Sequence, residues 1–336
     1  MSHFIYAIYV LLSKKRNRLV IMKYVERRED KMIGCLFGQA VGDALGLGAE
    51  FMSKEEVHCN YYPAGLTTYD EIIRDHHRSK WEPGAWTDDT DMMLCIMESY
   101  ENGKFNLHKV AQNFKDWANS NPADIGINTY RVLSFPKYVE QPEVFSELVW
   151  NLSEQQSAAN GALMRTCVVG LAQDHVEEQA TDICKLTHYD PRCIGSCVIV
   201  SLIIHNLIYN DYELPYDEIR SLAKEFDERI IEWIDLAHQN KDISALELDK
   251  PHSRGYTLRT LAGALWCYWH ASSFGEGLFK IVNEGGDADT NAAVACAILG
   301  AKFGYSSIPT YYTENLHDRE TYHSKIIKFL NQVQKT

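Results

Sequence analysis

The stretch Met32-Ile33-Gly34-Cys35-Leu36-Phe37-Gly38-Gln39-Ala40-Val41-Gly42-Asp43-Ala44-Leu45-Gly46 sets the reading of the whole chain. In a helix its glycines at 34, 38, 42 and 46 fall on one face, because residues four apart stack along the axis. Each glycine costs a helix roughly 0.5–1 kcal/mol relative to alanine. Four on one face imply an offset, and close packing of this backbone against a second helix is the simplest one. The same bare face could also bring backbone near a ligand.

Outward from this segment, apolar residues keep recurring at three- and four-residue spacing. Met92, Met93, Ile96 and Met97 form one stripe, followed by Val110, Phe114 and Trp117. Ile194, Val198, Ile199 and Leu202 form another, as do Ile219, Leu222, Phe226, Ile230, Ile231 and Ile234. Tyr256–His270 and Asn291–Phe303 are rich in Ala and Leu, both good helix formers. Only Asn60–Asp70 looks extended, and Pro63 and Gly65 interrupt it. No low-complexity linker divides the chain and no solenoid period is found. The expected fold is all-α, one compact multi-helix domain over residues 26–336, with functional loops between helices.

The 336 residues include 46% hydrophobic and 24% charged side chains, which excludes a disordered or fibrous chain. A net charge of −13 argues against nucleic acid as the main partner, since backbone phosphates need a basic face. Nine cysteines, an odd number without a CxxC pair, read as reduced thiols in a cytoplasmic protein. Residues 1–25 read as a poorly structured or non-native extension, with Met22 as a plausible start. The apolar run Phe4–Leu12 is too short to span a bilayer and precedes its basic residues, so neither a transmembrane segment nor a secretory signal is expected.

Two acidic turns carry the chemistry. Thr87-Asp88-Asp89-Thr90-Asp91 runs into the helix beginning at Met92, and Gly285-Gly286-Asp287-Ala288-Asp289-Thr290 runs into an Ala-rich helix. Either turn alone could be an N-cap. Its occurrence twice, with three acids within four positions in the first, points to a cation, because such carboxylates repel unless one is present. Oxygen-only donors suit hard ions, Mg²⁺ before Ca²⁺, with Mn²⁺ also possible. The spacing fits neither a calcium helix-loop-helix loop nor a DxDxT phosphatase. Asn160-Gly161-Ala162-Leu163-Met164-Arg165 reads as a loop entering a helix whose amides could face an anion. In Thr187-His188-Tyr189-Asp190-Pro191-Arg192, Pro191 stands at a helix start.

These segments, in this order, resemble the ADP-ribosylglycohydrolase family, whose founding type is the dinitrogenase reductase activating glycohydrolase. The resemblance rests on Gly38–Gly46 with Glu50, Trp86-Thr87-Asp88-Asp89-Thr90, Asn160-Gly161 with Met164-Arg165, Thr187-His188 with Asp190-Pro191, Gly285–Thr290, and Gly300-Ala301 with Gly304. It implies an all-α fold with a binuclear Mg²⁺ centre, to which Thr87, Asp88, Asp89, Asp287, Asp289 and Thr290 would contribute. The implied reaction is hydrolysis of the bond joining ADP-ribose to a protein side chain, with arginine favoured over serine. Its substrate would be an ADP-ribosylated protein and its product ADP-ribose. Glu50 would relay protons or gate the metals, Asp88 and Asp289 would act at the reacting centre, and Asp43 would support from behind. Asn160, Gly161 and His188 would contact the diphosphate or adenosine. Rival readings are a hydrolase of a free ADP-ribosyl or nucleotide compound and a non-catalytic ADP-ribose-binding relative. A monomer is the default expectation.

Overall fold

A computed structural model describes residues 25–251 and 254–334. The chain is helical from 25 to 46 (α1), then α2 (Lys54–Asn60), α3 (Asp88–Met97), a short antiparallel hairpin of β1 (Tyr100–Glu101) and β2 (Lys104–Phe105), and α4 (Leu107–Asn119). It continues through α5 (Ile127–Leu133), α6 (Pro142–Leu152), α7 (Val176–Lys185), α8 (Pro191–His205), α9 (Tyr216–Lys224) and α10 (Arg229–Gln239). The last five are α11 (Thr257–His270), α12 (Phe274–Val282), α13 (Ala288–Phe303), α14 (Thr310–Glu314) and α15 (Arg319–Val333). The all-α reading holds. The extension expected over residues 1–25 lies outside the described residues except for Val25, which is helical.

The glycine face of α1 lies on α13. A methyl group added at Gly34, Gly38, Gly42 or Gly46 would overlap the carbonyl oxygen of Gly300, Cys296, Ala292 or Ala288 in turn. One chain ascends while the other descends, so the two helices are antiparallel and touch backbone to backbone along three turns. Gly300 faces Gly34 in the reciprocal contact. This seam puts the C-terminal end of α1 against the N-terminal end of α13.

Both partners are buried over most of their length, α1 from residue 34 to 46. Ala288 through Ala301 of α13 is buried without a break, and α8 is buried at most positions. Among the described residues, Pro191–Asn210 is long and apolar enough to cross a membrane, with mean hydropathy 1.7. Yet 72% of that window is covered by the rest of the protein, which is the situation of a core helix. The Met92, Met93, Ile96 and Met97 stripe is fully inside, facing the same core.

Three local expectations need correction. The segment Asn60–Asp70 is not a strand: it holds the end of α2, a turn and a short 3-10 segment, Tyr69–Glu71, while the hairpin forms at Tyr100–Phe105 instead. Tyr100 and Phe105 pair their rings there and bury them against Phe329. The stripe from Ile219 to Ile234 is split into α9 and α10 by a break at Glu225–Glu228. Leu163–Arg165 is a 3-10 turn, not the start of an α-helix, and it leads into a second one at Cys167–Leu171.

The seam makes a test. In an isolated helix Gly38→Ala would help; here its methyl meets the Cys296 carbonyl, and overpacking of this kind costs roughly 1–3 kcal/mol. We expect Gly38→Ala to lower Tm by several degrees, whereas Gly275→Ala, open but for Pro309 at 3.8 Å, should leave it unchanged or higher in the same thermal scan.

Candidate metal centre and substrate cleft

Asp43, one turn before the end of α1, organises the site. It is fully buried, and its Oδ1 accepts hydrogen bonds from the Thr87 amide and hydroxyl, both at 2.9 Å. Its Oδ2 accepts from the Thr90 amide at 3.0 Å and hydroxyl at 2.6 Å. Four donors thus fasten the first turn of α3 to α1. Burial still pushes the Asp43 carboxyl up to about 6, against the opposing pull of those bonds.

The two acidic turns meet at this junction. Thr290 Oγ1 at the head of α13 donates to Asp89 Oδ1 at the head of α3, at 3.2 Å across 201 residues of sequence. Both turns sit at helix N-termini, where the macrodipole favours negative charge. Asp91 of the first turn leaves the cluster, taking the indole N–H groups of Trp86 and Trp117 at 2.9 and 3.1 Å. Asp287 accepts from Asn160 Nδ2 at 2.6 Å and from the Gly255 amide at 3.1 Å.

Glu50 arrives on the turn after α1. His77 Nε2 lies 2.6 Å from its Oε2, and Arg78, itself buried, donates to the Glu50 carbonyl and, at 2.9 Å, to that of Gly48. Two backbone bonds tie this turn to the diglycine, Phe51 N to Gly286 O at 2.6 Å and Gly286 N to Met52 O at 2.7 Å. Gly285 and Gly286 both have positive φ, and a side chain on Gly286 would strike the Leu248 carbonyl, so the diglycine is required for this approach. Carboxylate oxygens of Glu50, Asp287 and Asp289 come within 4.8 Å of one another.

These groups line a cleft of about 370 Å³. Glu50, Asp88, Asp89, Asp287, Asp289 and Thr290 are all on its wall, as are Asn160, Gly161 and His188. Thr87 is the expected ligand that does not line it; its hydroxyl is turned to Asp43. Asn160 lines the cleft, but its amide nitrogen is committed to Asp287 and, at 2.9 Å, to Thr260, so it steadies a carboxylate. Arg165 is wholly buried, not on the surface as a lone arginine usually is, and stacks over Phe114 at 4.2 Å. Its Nη2 donates to Thr187 Oγ1 at 2.6 Å, and that hydroxyl lies 2.8 Å from His188 Nδ1. The other ring nitrogen, His188 Nε2, is buried beside Gly161 without a partner. Burial, then the Arg165 charge, holds His188 well below the usual imidazole range.

Sequence reasoning missed Asp124, a sixth acid on the cleft wall, and the clamp made by His77 and Arg78. Asp124 stands in a loop before α5 with no neighbouring acid or repeated motif to mark it. The Gly126 amide next to it donates to Asp88.

The six acids repel one another. Burial first, and then neighbouring acids, raise Asp88, Asp89 and Asp289 well above the usual carboxylate range, while Glu50 is pushed up to about 7. Among the described residues the one basic side chain within ion-pair distance of them is His77, on Glu50. Asp89 Oδ2 is buried with no hydrogen-bond partner. An orphaned carboxylate oxygen within an oxygen-only cluster fits a hard divalent cation.

Raised carboxyl groups make the folded, metal-free protein hold more protons than the unfolded chain above about pH 4. Their stabilising contribution is therefore present below that pH and lost as pH rises through 6 and 7; the lowered His188 and His205 act oppositely. Subtracting chelated from Mg²⁺-saturated melting curves isolates the cluster. The Mg²⁺-induced rise in Tm should be small at pH 5 and reach roughly 3–5 °C by pH 7.5, as expected for ligand at about 100 times Kd.

A family model described as ADP-ribosylglycohydrolase matches residues 25–335. The ADP-ribosylarginine hydrolase Tri1 of Serratia proteamaculans is 26% identical over 313 residues, covering 87% of this chain and 76% of the relative. The ADP-ribosyl-[dinitrogen reductase] glycohydrolase of Rhodospirillum rubrum is 29% identical over 295 residues, covering 85% and 90%. A solved structure titled ADP-ribosylglycohydrolase-related protein complex superposes with a TM-score of 0.70 at 24% identity, over 92% of this chain and 99% of that one, and so shares the fold. With acidic turns at the heads of α3 and α13 closing one cleft, the chain belongs to the ADP-ribosylglycohydrolase family and is an enzyme of the glycohydrolase class.

Proposed function

We propose that this enzyme hydrolyses the glycosidic bond between ADP-ribose and a modified protein side chain, arginine in the first place, with Mg²⁺ as its cofactor and Mn²⁺ able to replace it. The observation that carries this is the convergence of two acidic turns, 201 residues apart, on one cleft, with a buried carboxylate oxygen left unpartnered. The names of the two curated relatives support the substrate class. Nine free cysteines, seven of them buried, suit the reducing cytoplasm, where we place the enzyme.

Asp88, Asp89, Asp287, Asp289 and Thr290 would hold two divalent ions, with Asp43 bracing Thr87 and Thr90 behind them. When bound, the ions supply positive charge for ribose hydroxyls and for a nucleophilic water. The water oxygen forms the new bond to the anomeric carbon as the carbon–nitrogen bond breaks through an oxocarbenium-like state. The departing guanidine needs a proton as it leaves. Glu50, held by His77, would take the proton that the attacking water loses and pass it to the leaving nitrogen. The unpartnered Nε2 of His188 and the loop at Gly161 would offer a polar contact and close backbone approach to the remainder of the nucleotide.

The test is release of ADP-ribose from arginine-linked and serine-linked substrates, with Mg²⁺ and with EDTA. Release should require Mg²⁺, favour the arginine linkage and fall more than roughly 100-fold in the Asp287→Ala/Asp289→Ala double variant. Asn160→Ala, which removes the amide steadying Asp287, should weaken metal affinity by roughly 10–100-fold. Release that survives EDTA and the double variant would refute the proposal.

A further inference from the structure

Phe51 is an anomaly in this site. It follows Glu50 directly, its φ is +61°, and it is 46% exposed on the cleft wall. A bulky side chain in the left-handed region costs roughly 1–2 kcal/mol, and such strain persists only where surrounding structure imposes it. Here the imposing contacts are identifiable. The Phe51 amide is bound to the Gly286 carbonyl, Arg78 holds the preceding carbonyl, and the Met52 carbonyl accepts from Gly286. The ring leans on His77 at 5.2 Å, and His77 in turn contacts Trp81 at 5.4 Å. A glycine or asparagine would relax this turn, yet a half-exposed phenylalanine is kept there.

We infer that Phe51 is a specificity-determining residue that seats the planar guanidinium of the target arginine beside the bond to be cut. This rests on the glycohydrolase reading above. Position supports it: the neighbouring Glu50 carboxylate clusters with Asp287 and Asp289 in the cleft that Phe51 also lines, so the ring borders the acidic end assigned above to the bond being cut. Charge supports it too, because Glu50 and Asp124 at this end complement a cation. Guanidinium is weakly hydrated, planar and suited to stacking on an aromatic face, whereas a serine leaving group offers nothing to a ring. The ring already has one guanidinium at its margin, that of Arg254, at 5.8 Å from the centroid.

Full-length wild type, Phe51→Ala, Phe51→Leu and Phe51→Asn should be compared for kcat/KM on arginine-linked and serine-linked substrates, for ADP-ribose affinity by calorimetry, and for Tm. Phe51→Ala should lower kcat/KM for the arginine-linked substrate roughly 10- to 30-fold, with Phe51→Leu intermediate. The serine-linked substrate and the ADP-ribose Kd should change less than about 2-fold. Phe51→Asn should melt no lower than wild type while losing the same activity, since it relieves the turn and removes the ring. An unchanged arginine kcat/KM in Phe51→Ala, or an equal loss of ADP-ribose affinity, would overturn the inference. Wild type acting only on the serine linkage would overturn it and leave the glycohydrolase reading intact; wild type acting on neither would refute both.

Discussion

Backbone contact between α1 and α13 is the constraint on which the rest of the molecule depends. Interhelical approach this close is open only to a face without side chains, and Gly34, Gly38, Gly42 and Gly46 provide it. Because the helices run antiparallel, the seam fixes more than packing. It sets Asp43, from the C-terminal end of α1, and Glu50, on the turn after it, against Asp287 and Asp289 at the head of α13. Asp43 then recruits the head of α3 through four hydrogen bonds. Residues near 45, 90 and 290 are thereby assembled without any long loop having to find its place.

Such a cluster is unstable on its own terms. Buried carboxylates lose hydration and repel, which is why nearly every acid in it is shifted upward. Two helix N-termini, the Asp43 network, the Asn160 amide and His77 each relieve part of the cost, and none neutralises the sum. The structure therefore stores an electrostatic demand that divalent cations can meet. Rigidity follows from the same design: the Glu50 turn is held by Arg78, by His77 and by paired backbone bonds to the diglycine.

Much of this was legible in the sequence, for physical reasons that can be named. Helical spacing identified the class because every helix buries a stripe, and the glycine register announced a close helix pair. Repetition of an acidic turn at two helix starts marked out the acidic cluster from ordinary caps. What stayed hidden depended on tertiary partners. Asp91 looks like its neighbours in the sequence, yet two indoles draw it away. Asp124 carries no local mark at all. Arg165 is a lone arginine in the sequence, but its guanidinium is buried against Phe114 and reaches His188 through the Thr187 hydroxyl. Asn60–Asp70 mimicked a strand because a Pro/Gly-broken turn and an extended segment share composition, and Tyr100–Phe105 was too short to show alternation.

The central claim is that the α1–α13 seam assembles one divalent-metal centre from both acidic turns. Its most direct test is Mn²⁺ titration of the chelator-stripped, full-length chain at pH 7.5, followed by electron paramagnetic resonance. The account predicts two Mn²⁺ per chain with the spin coupling of ions about 3.5–4 Å apart, and loss of that coupling when either turn is changed, as in Asp89→Asn or Asp289→Asn. Absence of binding at millimolar Mn²⁺, or a coupled pair that survives both substitutions, would contradict it.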